Sequence, residues 1–180
     1  MKTNIYTGKN FEWEIRKSLY TAGWWWFRIQ DTNDVSRFVK QAIAEKQPGD
    51  FFAVSDGVPI LIECKTSRNK TSFPLFYHKS ASIPLHQITY GQKLIKSGGM
   101  SWILIRKDEP RNKRVFALSP NQIKSFYDGI GTAAGQKGSK KKSVKWSVIE
   151  ERGLELERLS TPVRYDLSIL LNSRWRLTSK

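Results

Sequence analysis

Two apolar runs, PGDFFAVS and VPILIECKTS, contain three residues that a sheet core has no ordinary use for: Asp50, Glu63 and Lys65. Asp56-Gly57 between the runs is a two-residue turn signal, because both residue types tolerate positive φ. A hairpin centred there sets Asp50 opposite Glu63. A longer loop from Ser55 to Val58, which would accommodate the missing amide proton of Pro59, leaves that pairing unchanged. Side chains alternate along a strand, so Asp50, Glu63 and Lys65 share one face while Phe51, Ala53, Ile60, Ile62 and Cys64 share the other. Facing Cβ atoms lie ~4.5 to 5.5 Å apart, and like charges placed there cost something on the order of 1 kcal/mol or less. A hard divalent cation removes the conflict, and two carboxylates without His or Cys donors suit Mg²⁺ or Mn²⁺ better than zinc. Ordinary solvated positions with weak ion pairs are the plainer reading. Against it, Phe52, Val54 and Leu61 lie on the same face, so the three charges need a specific reason.

The elements that must position these groups follow from periodicity. Residues 8–22 place Phe11, Ile15, Leu19 and Ala22 at helical spacing, with Gly23 as a stop signal. Glu12 flanks that stripe, whereas Glu14 and Lys17 are expected to point outward. The pattern leaves open whether Glu12 projects toward the sheet as a third acid or stays at the border. Residues 24–29 read as an aromatic strand, and 31–47 as polar with a helical hint at 37–45. Residues 66–82, with Phe73, Phe76 and Tyr77, are expected to form a basic, hydroxyl-rich loop too polar for the core and to act as a mobile contact surface. A helix follows from Pro84 to about Ser97, stopped by Gly98-Gly99. Two paired strands at 100–107 and 114–119 come next, then a short helix capped near Ser119 or Asn121. Residues 129–145 turn Gly-rich and then basic, as in a flexible arm or a hairpin tip, and the segment from Leu154 through LSILL is expected to return to the core or to a partner.

The 180 residues suffice for one domain, and with 39% hydrophobic and 12% aromatic residues the chain can fill an interior. Lys plus Arg number 31 against 16 Asp plus Glu, a formal charge of +15, so the natural partner is a polyanion. Basic residues interleaved with aromatics favour nucleic acid over a membrane surface. The opening MKTNIYTGKNFEWEIRK has no apolar signal core, and no segment approaches membrane-spanning length, so a cytoplasmic protein with no membrane partner is expected. Cys64, the sole cysteine, excludes an internal disulfide and a cysteine zinc cluster and reads as a buried, inert thiol.

Asp50-x(12)-Glu63-Cys64-Lys65, preceded by Pro48-Gly49, resembles the PD-(D/E)XK nuclease signature. Gly8-Lys9-Asn10-Phe11-Glu12 resembles the opening of Holliday junction resolvases, and Phe27-Arg28 resembles their strand arginine. KTSRNKTSFPL followed by IPLHQITYGQKLIKSGG resembles the RecU branch, so the likeness covers about residues 8–120. It implies an α/β (α+β) fold with a restriction-endonuclease-like core. That core would have a central mixed β-sheet flanked by helices in the order αβββαβ, with a nuclease core at 1–128 and a basic extension at 129–180. It further implies Glu12, Asp50 and Glu63 as metal ligands, directly or through water, with Lys65 orienting the attacking water and stabilising charge on the phosphorane. Arg28 and Gln87 become candidates for phosphate contact, and Lys140, Lys141 and Lys142 for a grip on an outer DNA arm. Gln87 as a plain helix-start residue remains open, and His78 and His86 read as structural or DNA-facing. The chain departs from the pattern in a long segment between Arg28 and Asp50 and in lacking the Thr-Pro element of the RecU branch; Thr32 and Ser36 are candidates for a resolvase hydroxyl. The expected activity is Mg²⁺-dependent or Mn²⁺-dependent paired nicking of four-way junctions by a homodimer, since twofold symmetry supplies two equivalent sites. The alternatives are a restriction or repair endonuclease on the same core, and a catalytically silent DNA-binding protein.

Overall fold

The computed structural model describes residues 3–29, 47–77, 80–110, 112–128, 143–160 and 164–172. The helical hint at 37–45, Thr32, Ser36, His78 and Lys140, Lys141 and Lys142 lie outside the described residues.

Helix α1 (Thr3–Thr21) ends where Gly23 takes a φ of 71°, a left-handed value that costs glycine little. Strand β1 (Trp25–Arg28) follows, and then the hairpin of β2 (Phe51–Ser55) and β3 (Val58–Ser67). Its turn is the two-residue one, with Asp56 at φ 50° and Gly57 at φ 74°, and Phe51 pairs with Ile62 as the turn signal requires. Short strands β4 (Ser72–Pro74), β5 (Phe76–Tyr77) and β6 (Ser80–Ala81) lead to helix α2 (Leu85–Lys96). Strands β7 (Met100–Asp108) and β8 (Lys113–Leu118) precede helix α3 (Pro120–Asp128). A capping box opens α3: the Gln122 amide donates to Ser119 Oγ at 3.3 Å, and the Ser119 amide donates to Gln122 Oε1 at 2.7 Å. Ser119, not Asn121, is the cap.

The carboxy-terminal part contributes β9 (Ser143–Lys145), α4 (Trp146–Arg152), β10 (Leu154–Leu156), β11 (Arg158–Leu159), β12 (Arg164–Tyr165) and α5 (Ser168–Asn172). The central sheet runs β1-β2-β3-β7-β8-β10, with β3 and β7 parallel and the other neighbours antiparallel. It is a mixed sheet flanked by helices, an α+β arrangement. One face packs Phe11, Ile15 and Leu19 of α1 against Phe51, Ile62 and Leu104, and Leu167 and Leu170 close the same core. The other face packs Ile88 of α2 and Ile123 of α3 against Ile103, Ile105 and Phe116.

Two sequence expectations fail here. Phe73 is 2% exposed, not part of a polar contact loop, because β9 pairs with β4 and brings Trp146 within 6.2 Å of its ring. Glu14 does not point outward. It is buried against Arg106, because α1 is covered on a second side by Tyr165 of β12. Among the described residues, no helix is long and apolar enough to cross a membrane.

Gly91 sets how closely α2 approaches the sheet. A Cβ there would sit 2.4 Å from Ser101 Oγ and 2.6 Å from Pro120 Cγ, and the proline ring cannot swing aside. Gly91→Ala is therefore expected to cost about 1 to 3 kcal/mol in thermal denaturation. It should also displace Gln87, one turn earlier on the same helix.

Candidate active site

Asp50 is held by backbone on both sides. Its amide donates to Ile62 O at 2.9 Å, and its carbonyl accepts from the Ile29 amide at 2.9 Å. The preceding residue must be small, since a Cβ on Gly49 would meet Ile62 O at 3.0 Å. Where β2 stops, the next free amide of β3 is that of Cys64, and Asp50 Oδ2 accepts it at 2.7 Å. The Asp50 carboxylate is thus fixed over β3, near Glu63.

Glu63 is 3% exposed and lies beside Ile103 of β7. Its Oε1 contacts Lys65 Nζ at 2.5 Å, and its Oε2 accepts from Gln87 Nε2 at 2.8 Å. Gln87 reaches it from the first turn of α2. The amide oxygen of Gln87 is itself buried and accepts no hydrogen bond among the described residues. Glu12 comes from the helix on the opposite face of the sheet, and its Oε2 takes Arg28 Nη2 at 2.8 Å at the end of β1. Among the described residues, no three His, Cys, Asp or Glu side chains are gathered closely enough to ring an ion. The structure therefore brings Asp50, Glu63, Lys65 and Gln87 together, with the Glu12–Arg28 pair at the margin.

Electrostatics show how costly the cluster is. Burial first, and the Glu63 carboxylate second, push Asp50 up to about 7, against which the Cys64 amide pulls down. Burial also raises Glu63, while Lys65 holds it back. Burial works against the Lys65 ammonium, but the Glu63 carboxylate outweighs it and the net shift is upward, so the cation persists. Burial pushes the Cys64 thiol well above its usual value, which makes it unreactive.

A raised carboxylate adds stability that is complete below its unfolded value and is lost as pH rises through its folded value. For Asp50 that window runs from 3.8 to about 7. In EDTA, Asp50→Asn is expected to lose none of this and to exceed the wild type at pH 8 by something on the order of 2 to 4 kcal/mol, with little difference at pH 4. Urea denaturation at both pH values measures it. Added Mg²⁺ should stabilise the wild type more than the variant.

The sequence placed Gln87 as a candidate phosphate contact, and the structure sets it first against Glu63. Tyr127 was not anticipated. Its one hydroxyl proton is shared between the carbonyls of Leu75 and Ile83, 3.1 and 3.2 Å away, tying down the loop before α2. No local pattern signals a contact spanning 44 to 52 residues.

Residues 26–170 match the family described as Recombination protein U. The match contains Arg28, Asp50, Glu63, Lys65 and Gln87, begins after Glu12, and extends well beyond residue 120, where the motif likeness stopped. A Holliday junction resolvase RecU of Shouchella clausii (strain KSM-K16) is 31% identical over 117 residues, 64% of this chain and 49% of that protein. A Holliday junction resolvase RecU of Pediococcus pentosaceus is 28% identical over 127 residues, 69% of this chain and 56% of that protein. The chain spans about half the length of the curated relatives it matches. Among solved structures, the Holliday junction resolvase Hjc of Archaeoglobus fulgidus aligns with 82% of this chain and 95% of its own, at 17% identity and a TM-score of 0.45.

Proposed function

Since this chain belongs to the Recombination protein U family, we propose that it is a metal-dependent endodeoxyribonuclease that resolves four-way DNA junctions by paired nicking. The observation that carries the reading is a buried Glu63 carboxylate and a half-buried Asp50 carboxylate beside a fixed ammonium, on one face of a sheet, in a chain of charge +15. The core is read as restriction-endonuclease-like.

The residues fit a hard dication. Asp50 and Glu63 supply oxygen donors whose mutual repulsion Lys65 and the Cys64 amide offset only in part, and Gln87, which donates to Glu63, has a buried amide oxygen with no hydrogen-bond partner among the described residues. Asp50 and Glu63 would hold the ion, with Glu12 joining directly or through water once Arg28 turns to a phosphate. Bound there, Mg²⁺ or Mn²⁺ would acidify water and polarise the phosphoryl oxygen. Lys65 is held by Glu63 so that its charge faces the same pocket, where it orients the attacking water and stabilises negative charge on the phosphorane. Gln87 keeps Glu63 from rotating away. Arg28, half exposed, contacts the DNA backbone, as would Lys140, Lys141 and Lys142. A homodimer supplies the second nick.

The test is cleavage of a synthetic four-way junction against a linear duplex of the same sequence, with Mg²⁺. Strong preference for the junction is expected. Equal rates reject resolution in favour of a general nuclease, and no nicking with Mg²⁺ or Mn²⁺ leaves only DNA binding.

A further inference from the structure

β1 lies at the edge of the central sheet, and it exposes aromatic rings where edge strands ordinarily present charge or proline. Trp25 is 62% exposed and Phe27 46%. The register sets Phe27 against Phe52 and Trp25 against Val54, so both rings stand on the face that carries Asp50, Glu63 and Lys65. The rings are braced. Trp25 and Phe27 meet edge to face, centroids 5.6 Å apart and planes at 70°, and Phe27 lies 5.5 Å from Phe52 at a tilt of 32°. They make a corner with two apolar walls. Phe52 stands two residues beyond Asp50 along β2, so the corner begins ~7 Å from the site, on the scale of one nucleotide along an extended strand.

Exposed apolar surface of this kind needs an occupant. Charge selects among the candidates. The chain carries a formal +15, and Arg28 follows Phe27 at the end of this edge strand, its side chain on the opposite face against Glu12, so a polyanion that reaches the site meets the rings and the cation from the two sides of one edge. Exposed aromatic faces on a strongly basic protein are the ordinary means of holding unpaired bases, since every base has a stacking face. We propose that the corner formed by Trp25 and Phe27 is a stacking site for one unpaired nucleobase of the DNA substrate, displaced from the duplex next to the carboxylate site. This rests on the reading of the chain as a DNA-cutting enzyme. It goes further in assigning the recognition of a distorted branch point to named rings.

The test uses the full chain in EDTA, so that nothing is cut. One duplex carries a single unpaired 2-aminopurine, and a second of the same sequence is fully paired. The wild type is expected to quench the 2-aminopurine and to bind the first duplex about tenfold more tightly than the second. The double variant Trp25→Ala/Phe27→Ala should lose both the quench and the preference, with affinity for the paired duplex within about twofold of the wild type. Trp25→Phe/Phe27→Tyr should retain the quench. Sedimentation should give one mass for all three proteins. Persistent quenching in the alanine variant, an equal loss on both duplexes, or a changed mass would overturn the proposal, the last by marking this face as a contact between copies. Equal cutting of junction and linear duplex by the wild type would remove the resolvase reading while leaving the stacking result intact.

Discussion

Replacing Lys65 with alanine is expected to reduce junction cleavage at saturating Mg²⁺ by at least about a thousandfold, while junction binding stays within about threefold. The ammonium is the positive charge that the Glu63 carboxylate fixes within the pocket, 2.5 Å from Oε1, and its net upward shift keeps it protonated at any working pH. In the proposed role its charge would act on the phosphorane more than on the ground-state phosphate, so its loss should fall on turnover and not on affinity. Binding should be spared because, in the proposed function, the backbone contacts come from other residues, Arg28 among them. Lys65→Met separates charge from bulk and should behave like alanine. Gel assays of cleavage and, in EDTA, of binding give the two readings. Cleavage within tenfold of the wild type would remove Lys65 from the mechanism.

The second large effect lies away from the chemistry. Arg106 is fully buried, and its Nη1 donates to Glu14 Oε2 at 2.9 Å, while the Tyr165 hydroxyl donates to the same oxygen at 3.1 Å. Burial, with Glu14 alongside, raises the Tyr165 phenol, so it stays a donor. The Arg106 guanidinium also lies 4.8 Å from the Phe11 ring centroid. Glu14→Ala leaves the buried guanidinium only the more distant Asp108 carboxylate, 3.5 Å from its Nε, and is expected to cost about 2 to 4 kcal/mol in urea denaturation. Glu14→Gln keeps an acceptor and should cost less. Replacing both charges, as Glu14→Leu with Arg106→Met, should recover part of the loss, because desolvation of the two ions is removed along with their attraction while Asp108 keeps Arg68 at 3.4 Å and Lys113 at 3.8 Å. A double variant as unstable as Glu14→Ala would show that the network contributes something beyond its charge.

These two sites differ in how far they could be read beforehand. The pairing behind Asp50 and Glu63 is local: a two-residue turn of Asp-Gly and strict alternation on both sides decide it, and the observed register matches. The helix from Pro84 and the strands at 100–107 and 114–119 were legible for the same reason. Glu14 was misread because helical spacing reveals one apolar stripe, while α1 is covered on a second side by Tyr165, which lies 151 residues away in sequence. Phe73 was misread because its flanking residues are polar, and the strand that covers it begins at Ser143.

The sequence by itself determined the hairpin register that sets Asp50, Glu63 and Lys65 near one another, since turn geometry and the two-residue period of a strand act over a few bonds. Only the tertiary structure decided that Glu12 is engaged by Arg28, that Gln87 braces Glu63, and that Glu14 and Arg106 are interior ions. Burial and ion pairing depend on which distant segments meet, and that is settled by the packing of the whole chain.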